Sequence, residues 1–90
     1  MFILTILGKE TDGAYSVANK DGTDILYIFQ EEDDASRYAM MLENSGSPEM
    51  HVIEVDNEAM IETCVLHNYS YTIITPNDIV IPPDTEHDII

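Results

Sequence analysis

Ile25-Leu-Tyr-Ile-Phe-Gln-Glu-Glu-Asp-Asp-Ala-Ser-Arg-Tyr-Ala-Met-Met-Leu-Glu-Asn-Ser-Gly46 changes its hydrophobic period halfway along. Ile25 to Phe29 is an unbroken apolar, β-rich run, the signature of a buried strand. After the acids, Ala35, Tyr38, Ala39 and Leu42 recur at spacings of three, four and seven, which line one face of a helix. Asn44-Ser45-Gly46 supplies its stop. One stretch therefore passes from strand to helix, and the domain must mix the two.

Working toward the N-terminus, Ala14 to Ala18 and Ile25 to Phe29 flank a polar loop in which Asp21-Gly22 offers the positive-φ positions of a hairpin turn. Phe2 to Leu7, closed by Gly8, reads as a central strand buried on both faces. Toward the C-terminus, His51 to Val55 alternates as a strand. Asp56 or Asn57 can cap a second helix with Met60, Ile61, Cys64 and Val65 facing inward. That helix is expected to stop at His67-Asn68, because Asn tolerates the left-handed C-cap conformation. Tyr69 to Ile74 is another strand stopped by Pro76, and Ile79 to Ile81 adds a short edge segment. Residues 1–83 form one domain, followed by an acidic tail, 84–90, expected to be mobile.

The order strand, hairpin, helix, strand, helix, strand makes this an α+β chain. Two helical crossovers give parallel strands and the hairpin an antiparallel pair, so the sheet is mixed. The simplest packing puts both helices on one face, a two-layer sandwich of ferredoxin-like character.

Charge limits the function. Eighteen acids against Lys9, Lys20 and Arg37 give a formal net charge of −15 in 90 residues, and from Tyr38 to Ile90 there are ten acids and no lysine or arginine. No basic groove for phosphate can be assembled there, which disfavours direct binding of nucleic acid or of an anionic membrane. The chain lacks an apolar stretch of ~20 residues and a secretory n-region, so a cytoplasmic location is expected. Cys64 is the single cysteine, excludes an internal disulfide and fits the core; no cofactor or metal is implied.

Glu31, Glu32, Asp33 and Asp34 suggest a metal cluster at first sight, but they sit where a helix N-terminus favours negative charge by about 0.3–1 kcal/mol each. The alternating oxygens, glycine and closing glutamate of a calcium loop are missing. A Cys64–His67 pair is possible on one helix side, with no third group to orient it. The glycines stand apart, without a phosphate loop. Among so many acids, carboxylate pairs close by chance carry no catalytic signal.

The runs Ile25 to Phe29, Glu31 to Ala39 with Leu42-Glu43, Val55-Asp56, Ile61 to Cys64, and Tyr71 to Ile74 leading to Ile79 to Pro83, resemble a small domain-of-unknown-function family of cyanobacteria and plant chloroplasts. The resemblance spans roughly residues 2–83, and the acidic strand-to-helix junction is its most specific part. It implies an intracellular, non-catalytic protein of oxygenic phototrophs or of a virus that infects them, and brings no active-site residues.

With a convincing core and no catalytic constellation, the expected function is a small interaction or regulatory module. Its expected contact surface is an acidic rim of Glu31 to Asp34 with Glu54, Asp56 and Glu58, which suits a basic protein. Alternatives are a DNA mimic that blocks a DNA-binding protein, and an enzyme using an unidentified carboxylate as acid or base.

Overall fold

A computed structural model describes residues 1–18, 21–78, 80, 82 and 87–89. The strands are β1 (Phe2–Ile6), β2 (Tyr15–Ala18), β3 (Asp24–Phe29), β4 (Met50–Glu54), β5 (Ser70–Ile74) and β6 (His87–Ile89); the helices are α1 (Glu32–Asn44) and α2 (Asn57–Leu66), with one 3-10 turn at Glu10–Asp12. The chain is α+β with a mixed sheet, as the sequence predicts. β3 is the hub. One of its edges pairs in parallel with the whole of β5, from Ile25 opposite Ser70 to Phe29 opposite Ile74. Its other edge is shared: β2 takes the first half in the expected hairpin, and β1 meets it where Phe2 faces Phe29. β4 then lies antiparallel along β1, from Phe2 opposite Glu54 to Ile6 opposite Met50.

The placement of the helices corrects the two-layer expectation. Leu4, Phe29 and Ile74 pack with Ala35, Tyr38, Ala39 and Leu42 of α1. Their strand neighbours Ile3, Ile28 and Ile73 point the other way and pack with Cys64 and Met60 of α2. The helices therefore cover opposite faces, because successive side chains in a strand alternate. Strand order explains why. The β3–α1–β4 crossover moves across the sheet in one direction and β4–α2–β5 returns in the other; right-handed connections of opposite direction must use opposite faces.

Local chemistry accounts for the boundaries. α1 ends in a Schellman turn, with Ser47 N–H donating to Leu42 C=O at 3.1 Å and Gly46 at φ 93°. α2 ends in the same way on a non-glycine residue: Asn68 has φ 60°, and Tyr69 N–H donates to Cys64 C=O at 2.8 Å. Asn bears this conformation better than most side chains. Asp56 caps α2 by accepting from Ala59 N–H at 2.9 Å. In the hairpin, Asp21 accepts from Thr23 N–H at 2.9 Å, and that bond holds its carboxyl below the ordinary range.

Two further expectations change. Val65 does not face inward; it is 70% exposed, and Cys64, at 1%, is the buried residue of α2. Within the expected mobile tail, His87–Ile89 pair antiparallel with Tyr15 to Val17, so these three residues belong to the sheet. The edge segment expected over residues 79–81 falls largely outside the described residues.

Candidate functional site

The acids predicted as a rim converge through the topology. β3, β4 and β5 run the same way, so their C-terminal ends share one end of the sheet. Glu54, Phe2, Phe29 and Ile74 form a single cross-strand row there. Glu31 follows β3 directly, while Asp56 and Glu58 follow β4; the two strands lie two interstrand steps apart, roughly 10 Å. Both helices begin at this end, so two positive helix termini point toward it. Glu31 to Asp34 stand at the start of α1 on one face, and Asp56 and Glu58 at the start of α2 on the other. All but Asp34 are exposed.

The roles within the group differ. Glu31 occupies the N-cap position of α1 without a side-chain cap bond, while Glu32, Asp33 and Asp34 fill the first turn. Their contribution is thus to the helix dipole, not to capping. Asp34 Oδ1 accepts from Arg37 at 3.1 Å. Its Oδ2 is buried with no partner among the described residues. It borders a recess of about 30 Å³ between Arg37, Tyr38, Ile74 and Asp78. Asp78 is an acid of this end that sequence reading did not single out. Its Oδ2 accepts from Thr75 N–H at 2.8 Å and from the Thr75 hydroxyl at 3.0 Å, closing the turn after β5. The signal was there in Thr75-Pro-Asn-Asp78, a turn-forming run at a strand end. Among the described residues, Arg37 is the one cationic side chain at this end, and Lys9 lies beyond the opposite end of β1.

Two buried features stand apart from the acids. Tyr15 and Tyr38, 2% and 1% exposed, share a hydrogen bond of 3.0 Å between their hydroxyls. Tyr27 and Phe29 pack against the Tyr38 ring at centroid distances of 5.7 and 5.4 Å. Burial pushes the tyrosine hydroxyls up, Tyr38 most of all, so they stay protonated. On the other face, burial likewise pushes the Cys64 thiol up, which opposes thiolate chemistry. His67 stacks on Tyr69 at 5.5 Å. Beside them a mostly apolar recess of about 150 Å³ opens between α2 and the sheet, lined by Ala14, Leu26, Met60, Thr63, Cys64 and Tyr69. Sequence reading missed it because its walls come from four separate segments.

No group of three or more His, Cys, Asp or Glu side chains among the described residues is arranged to hold a metal ion. No helix among them is long and apolar enough to cross a membrane.

The structure defines a small α+β domain with a mixed sheet, a helix on each face and an acidic end. Residues 1–84 match the family described as Domain of unknown function (DUF3110), and the chain belongs to that family. No curated protein and no solved structure matches the chain.

Proposed function

We propose that this chain is a non-catalytic interaction or regulatory module that binds a basic protein through its acidic end, in the cytoplasm of an oxygenic phototroph and encoded by the phototroph or by a virus that infects it. The observation that supports the reading is the convergence of Glu31, Glu32, Asp33, Asp34, Glu54, Asp56 and Glu58 at one end of the sheet, with Arg37 as the only cationic side chain there among the described residues. Acids on two helix N-termini present a negative field to solvent that speeds encounter with a positive surface and weakens with salt.

Pull-down from a phototroph lysate at low and high salt tests this, with a charge-reversed Glu31→Lys, Glu32→Lys, Glu54→Lys chain as control. The reading expects a basic protein retained at low salt, released at high salt and lost with the reversed chain. Recovery of nothing, or of a partner that ignores both salt and the reversal, refutes it.

A further inference from the structure

β2 turns different side chains to the two faces of the sheet. Tyr15 and Val17 pack on the α1 side. Ala14 and Ser16 alternate with them and so face the α2 side, where Leu26 of β3 is the partner of Ser16. That side thus receives two small residues where the other receives a phenol ring and a valine.

α2 does not fill the space they leave. It connects β4 to β5 and rests on Ile3, Ile28 and Ile73. Met60, Thr63 and Cys64, at spacings of three and four, form one flank of the helix. Between that flank and the strands lies the recess of about 150 Å³, with Ala14, Leu26 and Tyr69 as its other walls. Leu26 and Cys64, 3% and 1% exposed, are its floor, and the exposed Thr63 and Tyr69 are its mouth. Val80, in the segment after β5, packs on the opposite, α1 side.

The lining decides what such a space can hold. Among the described residues no charged side chain lines it. The Thr63 hydroxyl donates to Ala59 C=O at 2.9 Å within the helix, and burial favours the protonated Cys64 thiol. Water in the recess would find few partners, whereas a buried water ordinarily makes about three hydrogen bonds. Displacing poorly held water by an apolar group is favourable. An apolar cavity of this volume accommodates a molecule of benzene size.

Charge narrows the class further. Met60, Thr63, Cys64 and Tyr69 belong to the stretch after Arg37, which has no lysine or arginine, in a chain of net charge −15. An anion entering here would lose its hydration with no cation to replace it.

We infer that the recess between α2 and the β2 side of the sheet is a binding site for a small, uncharged, apolar molecule about the size of one six-membered ring. The site is separate from the acidic end and does not depend on the function proposed for it.

The test titrates the full chain with toluene and, in parallel, with benzoate, following amide and methyl signals by NMR. Toluene is expected to give saturable shifts centred on the recess, with a Kd of about 1 mM or below. Benzoate at the same concentrations should leave those signals in place. Ala14→Leu fills the recess from the strand side and Thr63→Leu narrows it from the helix. Each should weaken toluene binding by about tenfold or more. Leu66→Ser, on a side chain that is 78% exposed and outside the recess, should bind toluene as the parent does. Circular dichroism establishes that the variants fold, and either filling variant decides the matter alone if the other does not.

Absence of saturable shifts up to the solubility limit of toluene overturns the inference. Shifts that persist in the filled variants, or that vanish with Leu66→Ser, overturn it too, because adsorption to the exposed apolar end of α2 would produce them. Benzoate binding as tightly as toluene also overturns it, since the recess would then lack the selectivity its lining and charge require.

Discussion

Replacing Tyr38 by phenylalanine removes one oxygen from the centre of the α1 core and leaves the ring in place. The ring keeps its contacts with Tyr15, Tyr27 and Phe29, at centroid distances of 5.5, 5.7 and 5.4 Å. What is lost is the 3.0 Å bond to the Tyr15 hydroxyl. The loss should be that of one hydrogen bond, about 0.5–1.5 kcal/mol. For a domain of this size about 1 kcal/mol lowers Tm by roughly 4–8 °C. The alkaline limb gives a sharper reading. Tyr38 is raised above its ordinary 10.0 in the folded chain, so above that pH the unfolded state loses a proton that the native state keeps. Its contribution is fully present below pH 10 and is lost as pH rises, at about 1.4 kcal/mol per pH unit for each such tyrosine. Urea unfolding at intervals from pH 8 to 11.5 should therefore show a shallower alkaline decline in Tyr38→Phe, by one proton's worth. The lysine contributions are common to both chains and cancel in the difference. Parallel declines would refute the reasoning, because Tyr38 would then be ionising in the folded state as freely as in the unfolded one.

Four other outcomes are expected. Asp56→Ala removes the cap on Ala59 N–H and should destabilise by about 1 kcal/mol, read as a lower urea midpoint; no change would mean that the α2 N-terminus is held otherwise. Asn68→Gly should be neutral or stabilising and Asn68→Val clearly destabilising, since φ at this position is 60° and a β-branched side chain is strained there; equal melting temperatures would contradict that backbone geometry. Tm should rise with added monovalent salt, because screening relieves the repulsion of a net −15 as the Debye length falls from about 10 Å at 0.1 M to about 3 Å at 1 M. Cys64, 1% exposed and with its thiol pushed up by burial, should react with a thiol reagent in the folded chain far more slowly than in urea, and equal rates would place it at the surface.

What could be read from the sequence was whatever depends on local period and capping. Ala35, Tyr38, Ala39 and Leu42 declare the buried face of α1 by spacing alone, and all four are buried. Asp56 and Asn68 mark the limits of α2 through capping chemistry that acts over three to five residues. The face each helix covers could not be read this way, since it depends on β4 lying beyond β1 and β5 on the far edge of β3. Strand order is a property of long-range pairing and leaves no local trace. Val65 shows the same limit on a smaller scale. Its apolar character suggested burial, but an α2 that rests on the sheet mainly through Met60 and Cys64 leaves Val65 in solvent. The acids of the rim were grouped from the sequence, and the physical reason they gather, the coincidence of three strand ends, is a matter of strand order.

The central position of β3 also bears on how the chain reaches its folded state. Its antiparallel partner is close in sequence, with Ala18 opposite Asp24, whereas its parallel partner arrives from far away, with Ile25 opposite Ser70. By the logarithmic dependence of loop closure on length, the second pairing costs about 2 kcal/mol more entropy than the first. The hairpin can form while the rest of the chain is still searching. β5 must wait until α1, β4 and α2 have been laid down between them. The seam between β3 and β5 thus closes after the hairpin and before β6 joins β2, where Val17 lies opposite the still more distant His87, and until it closes the apolar residues Leu26 and Ile28 remain without their neighbours on that side.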